Sequence, residues 1–280
     1  MSTELDRQLA ERAARVDATV AYSIVPLDGA EPIRAQADLC LPTASAYKVY
    51  LLAALYAADA AGKLSLDQVI TYRHDDYTLG SGVLKLFAAG AQMTLRDLAR
   101  LMIVVSDNVA TNLVTRALGG PQAANAAVHA LPIALTQTSI PGYISFENIA
   151  DPSTLPVSCP NDFTALLAAI FEKRCTGSVK HDEEVYWTLR RQQLRSMIPR
   201  YLPCSEYAEE FGIEEYYRCG TKSGGMPGVR TDVGIVETRA RSWAMAVMVQ
   251  GEPDFNTGNY HPFNDVVADL SKLVFDAWGK

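Results

Sequence analysis

The chain is 280 residues long, 49% hydrophobic and 20% charged, with a formal net charge of -7. That length and apolar content fit one large domain or two closely packed subdomains around a sizeable core, and they exclude a disordered chain. The acidic balance, without any cluster of Lys and Arg, excludes a nucleic-acid binder, which must gather positive charge against phosphates.

Glu4, Asp6, Arg7, Glu11, Arg12 and Arg15 interrupt the N-terminal stretch, so no secretory segment is read there, and no apolar run is long enough to span a bilayer. Five cysteines (Cys40, Cys159, Cys175, Cys204, Cys219) stand at irregular spacing, unlike a disulfide framework or a zinc site. Free thiols and a cytoplasmic protein are expected, unless a signal preceded this numbering.

Apolar positions at helical spacing predict an amphipathic helix over 5–16. Strands follow over 18–26 and 33–41, joined as a hairpin across Asp28-Gly29. From Ser45 through about Ala61 the chain is rich in Ala, Leu and Tyr without Gly or Pro, which predicts a buried helix beginning at or just after the serine. Two more helices, 94–105 and 108–118, meet at Ser106-Asp107-Asn108, the first opened by Thr94 with Asp97 three residues on. Residues 123–130, 161–173 and 183–194 are further helical candidates. The polar, proline-rich stretch 132–160 reads as a long surface loop, and loops of that length are usually functional.

Strands return over 215–221, 229–237 and 242–249, with Gly224-Gly225, Pro227-Gly228 and Arg239-Ala240-Arg241 as turns, and a helix over 264–278 closes the chain. Strands at both ends and helices between them predict an α/β fold of the α+β sandwich kind: an antiparallel sheet formed by both chain ends, flanked by helices, beside an all-helical lobe. Residues 1–44 with 211–280 would form the sheet part and 45–210 the helical part, with an active site in the cleft between them.

Three strings carry chemistry. In Ser45-Ala46-Tyr47-Lys48 a lysine three residues after a serine shares its helical face, and a neutral lysine can take the serine's proton. Burial beside a second cation lowers a lysine pKa, and Lys222 can supply that charge. In Ser106-Asp107-Asn108 the hydroxyl can relay a proton to a leaving nitrogen and the amide can meet a substrate amide. Lys222-Ser223-Gly224 presents a charge, a donor and open backbone at a strand edge to an anionic acyl substrate. Each string also has an ordinary reading as a helix cap, a solvated charge or a strand end. Their ordered co-occurrence carries the functional reading. The histidines His74, His129, His181 and His261 stand in no triad or metal-ligand context, and Tyr216-Tyr217 reads as strand packing.

Over about residues 18–278 the chain resembles class A β-lactamases and related penicillin-recognising serine hydrolases. The three strings carry the resemblance, together with the helix pair of residues 95–112 and the strand Gly228-Val229-Arg230-Thr231-Asp232-Val233-Gly234. It implies Ser45 as the acylated nucleophile, Lys48 as its base, Ser106 and Lys222 as a proton-relay pair, and Asn108 as a substrate contact. The backbone N–H groups of Ser45 and Gly225 would form the oxyanion hole, with Ser223 and Gly224 lining the substrate and Arg230 placed for a substrate carboxylate. The implied substrate is a small amide, lactam or ester, with no cofactor, metal, nucleic acid or membrane required, in a monomer or small homo-oligomer.

The chain departs from that pattern in one respect. The Glu-x-x-Leu-Asn string, whose glutamate activates the water that clears the acyl-enzyme, is absent. The loop offers Glu147-Asn148-Ile149-Ala150-Asp151, with Glu147 as a displaced equivalent and Asp151 as a weaker one. Three activities therefore remain open: a β-lactamase, a cytoplasmic peptidase or esterase of the same fold, and a penicillin-binding or sensor protein acylated without efficient turnover.

Overall fold

The computed structural model describes residues 4–205, 208, 210–213, 217–254, 256, 258 and 260–280, the side chains of 149, 150 and 152 apart. A first helix, α1 (Glu4–Ala13), leads into β1 (Thr19–Pro26), β2 (Ile33–Ala35) and β3 (Leu41–Pro42). Then come α2 (Lys48–Ala60), β4 (Val69–Thr71), β5 (Gln92–Thr94), α3 (Leu95–Val104), α4 (Asn108–Ala117), α5 (Pro121–His129), α6 (Phe146–Ala150) and β6 (Val157–Ser158). The chain closes with α7 (Pro160–Phe171), α8 (Val179–Arg190), β7 (Arg218–Met226), β8 (Val229–Glu237), β9 (Ser242–Gln250) and α9 (Pro262–Trp278).

Both chain ends build one five-stranded sheet in the order β2-β1-β9-β8-β7, antiparallel throughout. The central strands are buried on both faces, which explains why their sequences run apolar instead of alternating cleanly with polar residues. On one face Tyr22, Ile24, Trp243, Met245 and Val247 pack with α1 and α9. The other face presents small residues, Ala21, Ala244 and Ala246, and α7 packs directly on β1 and β9 there. Removing this apolar area from water, at about 25 cal/mol per Å², is the main force joining sheet and helices. An antiparallel sheet from both termini with helices around it is the fold class expected from the sequence.

Several local expectations are corrected. Gly224-Gly225 is no turn: both lie within β7, paired with Thr231 and Arg230, and the chain reverses at Pro227-Gly228. The second hairpin strand ends at Ala35, and Leu41–Pro42 pairs instead with Val157–Ser158. Ser45 sits in a 3-10 turn, Ala44–Tyr47, and the α-helix begins at Lys48. The eighth helix starts at Val179 because the Ser178 hydroxyl caps it, accepting from His181 N–H. The stretch 132–160 holds α6, a 3-10 turn and β6. Asp162 fastens it by accepting from the backbone N–H groups of Thr136, Gln137 and Thr138. Tyr217 packs edge-on against Phe275, whereas Glu215 and Tyr216 lie outside the described residues. Cys40, Cys159, Cys175 and Cys219 are in no disulfide among the described residues. No described helix is long and apolar enough to cross a membrane.

Candidate active site

Ala44, immediately before Ser45, has a φ of 44°, and Ser106 has a φ of 56°. A left-handed backbone at a residue with a β-carbon costs roughly 1 kcal/mol or more and persists only where its surroundings enforce it. The enforcement is visible at both sites. A β-carbon on Gly224 would lie 2.5 Å from Thr43 O and 2.8 Å from Ser45 N, so only glycine lets β7 come this close to the Ser45 turn. Around Ser106, the Asp107 carboxylate accepts from Val83 N–H (2.7 Å), Leu84 N–H (2.8 Å) and Ala110 N–H (2.9 Å). One carboxylate thus caps α4 and fastens the 79–84 loop against the second string.

Lys48 connects the first string to the second. Its side chain is fully buried, and its Nζ donates to Ser106 O (2.8 Å), Ser106 Oγ (3.1 Å) and Asn108 Oδ1 (2.8 Å). Burial drives its pKa well below the ordinary lysine value; the Lys222 charge adds to this and Asp107 opposes it. Lys222, also fully buried, donates to Ser223 O at 2.6 Å. Burial lowers its pKa to about 7 against the pull of Asp232. Asp232, equally buried, accepts from Ile198 N–H at 2.9 Å, and burial raises its carboxyl to about 7 while Lys222 opposes that rise. Each member of this pair favours the other's charged form, while burial favours the neutral form of both.

Ser45, Asn108 and Gly225 line one cavity of about 580 Å³. Two members of that lining escaped the sequence reading. Ser81 donates from its hydroxyl to Ser106 O at 2.7 Å, and Asn148 donates from Nδ2 to Tyr143 O at 2.8 Å. Gly80-Ser81-Gly82 was the available signal for the first, since glycines on both sides of a serine permit a tight backbone approach; Asn148 had no local signal.

Two candidates stand elsewhere. Glu147 is exposed and lines a neighbouring cavity of about 610 Å³ with Asp75, Asp76 and Arg116, its pKa lowered by hydrogen bonds from its own backbone and Ser145. Asp151, also exposed, binds Ser153. Arg230 is buried, and its guanidinium donates to Met226 O (2.8 Å), Val229 O (2.7 Å) and Asn256 O (2.6 Å). It holds the β7–β8 turn to the following loop. Three histidines serve the framework: His261 caps α9 by accepting from Phe263 N–H, His181 meets Asp59, and His129 meets Thr138 O. Among the described residues, no group of three or more His, Cys, Asp or Glu is placed to hold a metal ion.

Comparison with known proteins gives the same frame. A family model described as the beta-lactamase enzyme family matches residues 4–278. A beta-lactamase of Amycolatopsis lactamdurans is 32% identical over 127 residues, a match spanning 45% of this chain and 41% of that protein. The crystal structure of a beta-lactamase from Sphaerobacter thermophilus superposes with a TM-score of 0.81 at 29% identity, covering 98% of this chain and 96% of that one. A mutant of PBP-A solved as an acyl-enzyme complex with penicillin G shares the fold, with a TM-score of 0.79 at 22% identity and coverage of 98% and 95%.

Proposed function

The chain belongs to the beta-lactamase enzyme family, and from that premise we propose that it is a serine hydrolase acting on a β-lactam or related amide or ester through an acyl-enzyme on Ser45. Neutral Lys48 takes the Ser45 hydroxyl proton as Oγ attacks the carbonyl carbon. The tetrahedral oxyanion is held by the backbone N–H groups of Ser45 and Gly225. As the carbon–nitrogen or carbon–oxygen bond breaks, the Ser106 hydroxyl hands a proton to the leaving atom and is resupplied from Lys222 or Lys48. Asn108 contacts the substrate amide, and Ser223 and Gly224 border it. In this reading the sheet part, 1–44 with 211–280, supplies Lys222, and the helical part, 45–210, supplies Ser45, Lys48 and Ser106.

The observation that carries this reading is Lys48: a buried amine, depressed in pKa, one helical turn from Ser45 and hydrogen-bonded to the Ser106 hydroxyl. A solvated helix lysine has no reason to be enclosed among three acceptors. Hydrolysis of a chromogenic cephalosporin and of a p-nitrophenyl ester, each abolished by Ser45→Ala, tests it; turnover that survives the substitution overturns it.

A specific observation favours slow clearance of a lactam acyl-enzyme. Asn148 lines the Ser45 cavity, and four residues before it, where the Glu-x-x-Leu-Asn spacing places the glutamate, stands Ile144, which also lines the cavity. Ile144 offers no base to activate water. In this reading acylation draws on Ser45, Lys48, Ser106 and Lys222, while deacylation depends on water reaching the ester without that carboxylate.

A further inference from the structure

Among the described residues, seventeen line the cavity that holds Ser45, and none of these carries a charged side chain. Much of its wall is formed by Leu79, Tyr143, Ile144, Leu155, Pro156 and Met226. The polar members Ser81 and Asn108 already bind the Lys48 and Ser106 cluster. A volume near 580 Å³ falls within the usual range of roughly 300–1,000 Å³ for small-molecule sites.

The nearby cations are engaged within the protein. Arg230 directs its guanidinium to three backbone carbonyls, and Lys222 is fully buried with its amine on Ser223 O. An anionic substrate group entering the apolar part of this cavity gives up hydration without gaining an opposite charge. A neutral hydrocarbon group gains by leaving water there.

We infer that the cavity beside Ser45 selects acyl donors whose acyl part is neutral and apolar, so that the site takes aliphatic or aromatic acyl esters and amides and needs no carboxylate on the substrate. The inference rests on Ser45 as the acylated group. It assigns the side of the scissile bond that lies against Leu79, Ile144, Leu155 and Met226 to the acyl chain. In the step itself the Ser45 Oγ–acyl bond forms, the bond to the leaving oxygen or nitrogen breaks, and the serine proton leaves with that group through Lys48 and Ser106.

The test is the second-order rate of Ser45 acylation, read as p-nitrophenolate release with intact-protein mass, for the p-nitrophenyl esters of acetate, butyrate and hexanoate and for mono-p-nitrophenyl adipate, each corrected for its reaction in buffer. The expected rate rises roughly fourfold per added methylene from acetate to hexanoate, and the adipate ester falls at least about tenfold below hexanoate. Leu155→Lys, or Met226→Lys should the first fail to fold, is expected to reverse the order of hexanoate and adipate. A flat chain-length series, or adipate matching hexanoate in the parent protein, overturns the inference while leaving Ser45 as nucleophile. No adduct from any of the four esters or from an alkyl fluorophosphonate overturns the Ser45 reading as well.

Discussion

Lys48 Nζ donates to Asn108 Oδ1 at 2.8 Å, across sixty positions of sequence, inside a site from which the lysine is wholly excluded from solvent. That contact joins the start of α2 to the start of α4 and fixes where the amine sits beside Ser106. The same enclosure makes the neutral amine accessible at ordinary pH, because a buried ammonium loses its hydration.

The pH dependence of acylation follows from that burial. The rate should rise with pH as Lys48 loses its proton, with the rising limb centred well below the ordinary lysine value of 10.5. Lys48→Arg, which keeps the charge but cannot deprotonate, should slow acylation by about 10²–10⁴. Stopped-flow acylation across pH checks both; a limb near 10.5, or an active Lys48→Arg enzyme, contradicts the role.

The pair Lys222 and Asp232 predicts a dip in stability near neutrality. Asp232 is raised from 3.8 to about 7, so between those values the native state binds the extra proton and stability falls as pH rises. Lys222 is lowered from 10.5 to about 7, so above 7 the unfolded state binds the extra proton and stability rises with pH. Asp232→Asn removes the acid-side slope. Urea unfolding should show the parent losing roughly 2–4 kcal/mol relative to the variant between pH 4 and 7.

Gly224→Ala places a methyl group where Thr43 O and the Ser45 and Ala46 N–H groups lie 2.5–2.8 Å away. The strand or the Ser45 turn must shift, at a stability cost of about 1–3 kcal/mol. Acylation should fall by roughly 100-fold or more as the oxyanion donors lose alignment. Thermal unfolding and acylation kinetics on one preparation separate the two effects; an unchanged acylation rate contradicts the placement.

Ile144→Glu supplies a carboxylate to the cavity wall that lacks one. The lifetime of a penicillin adduct should shorten by at least about tenfold, whereas Glu147→Gln, on the exposed rim of the neighbouring cavity, should leave it unchanged. Time-resolved intact mass after removal of free penicillin measures both; a lifetime unchanged by Ile144→Glu and lengthened by Glu147→Gln reverses the assignment.

What the sequence made legible was the chemistry carried in short strings and long periodic helices. Ser45 with Lys48, the Thr94 cap and the closing helix depend on neighbours in sequence, and they appear within a few residues of the expected places. The misreadings depend on partners far along the chain. Gly224-Gly225 looked like a turn because glycine serves turns and close strand approaches alike, and only the packing of β7 on the Ser45 turn distinguishes them. The bond that Arg230 makes to the carbonyl of Asn256, twenty-six residues on, is likewise unreadable from neighbouring sequence. Ser81 and Asn148 enter the site on loops whose folding rests on Asp107 and Asp162, a dependence no periodicity reveals.

The proposed chemistry stands on acylation of Ser45. Peptide mapping after brief reaction with p-nitrophenyl hexanoate, and separately with a fluorescent penicillin, addresses it most directly. One stoichiometric adduct is expected on the peptide spanning Ser45, absent from Ser45→Ala and outlasting the chase with the penicillin. An adduct on another residue, or none with either reagent, would contradict it.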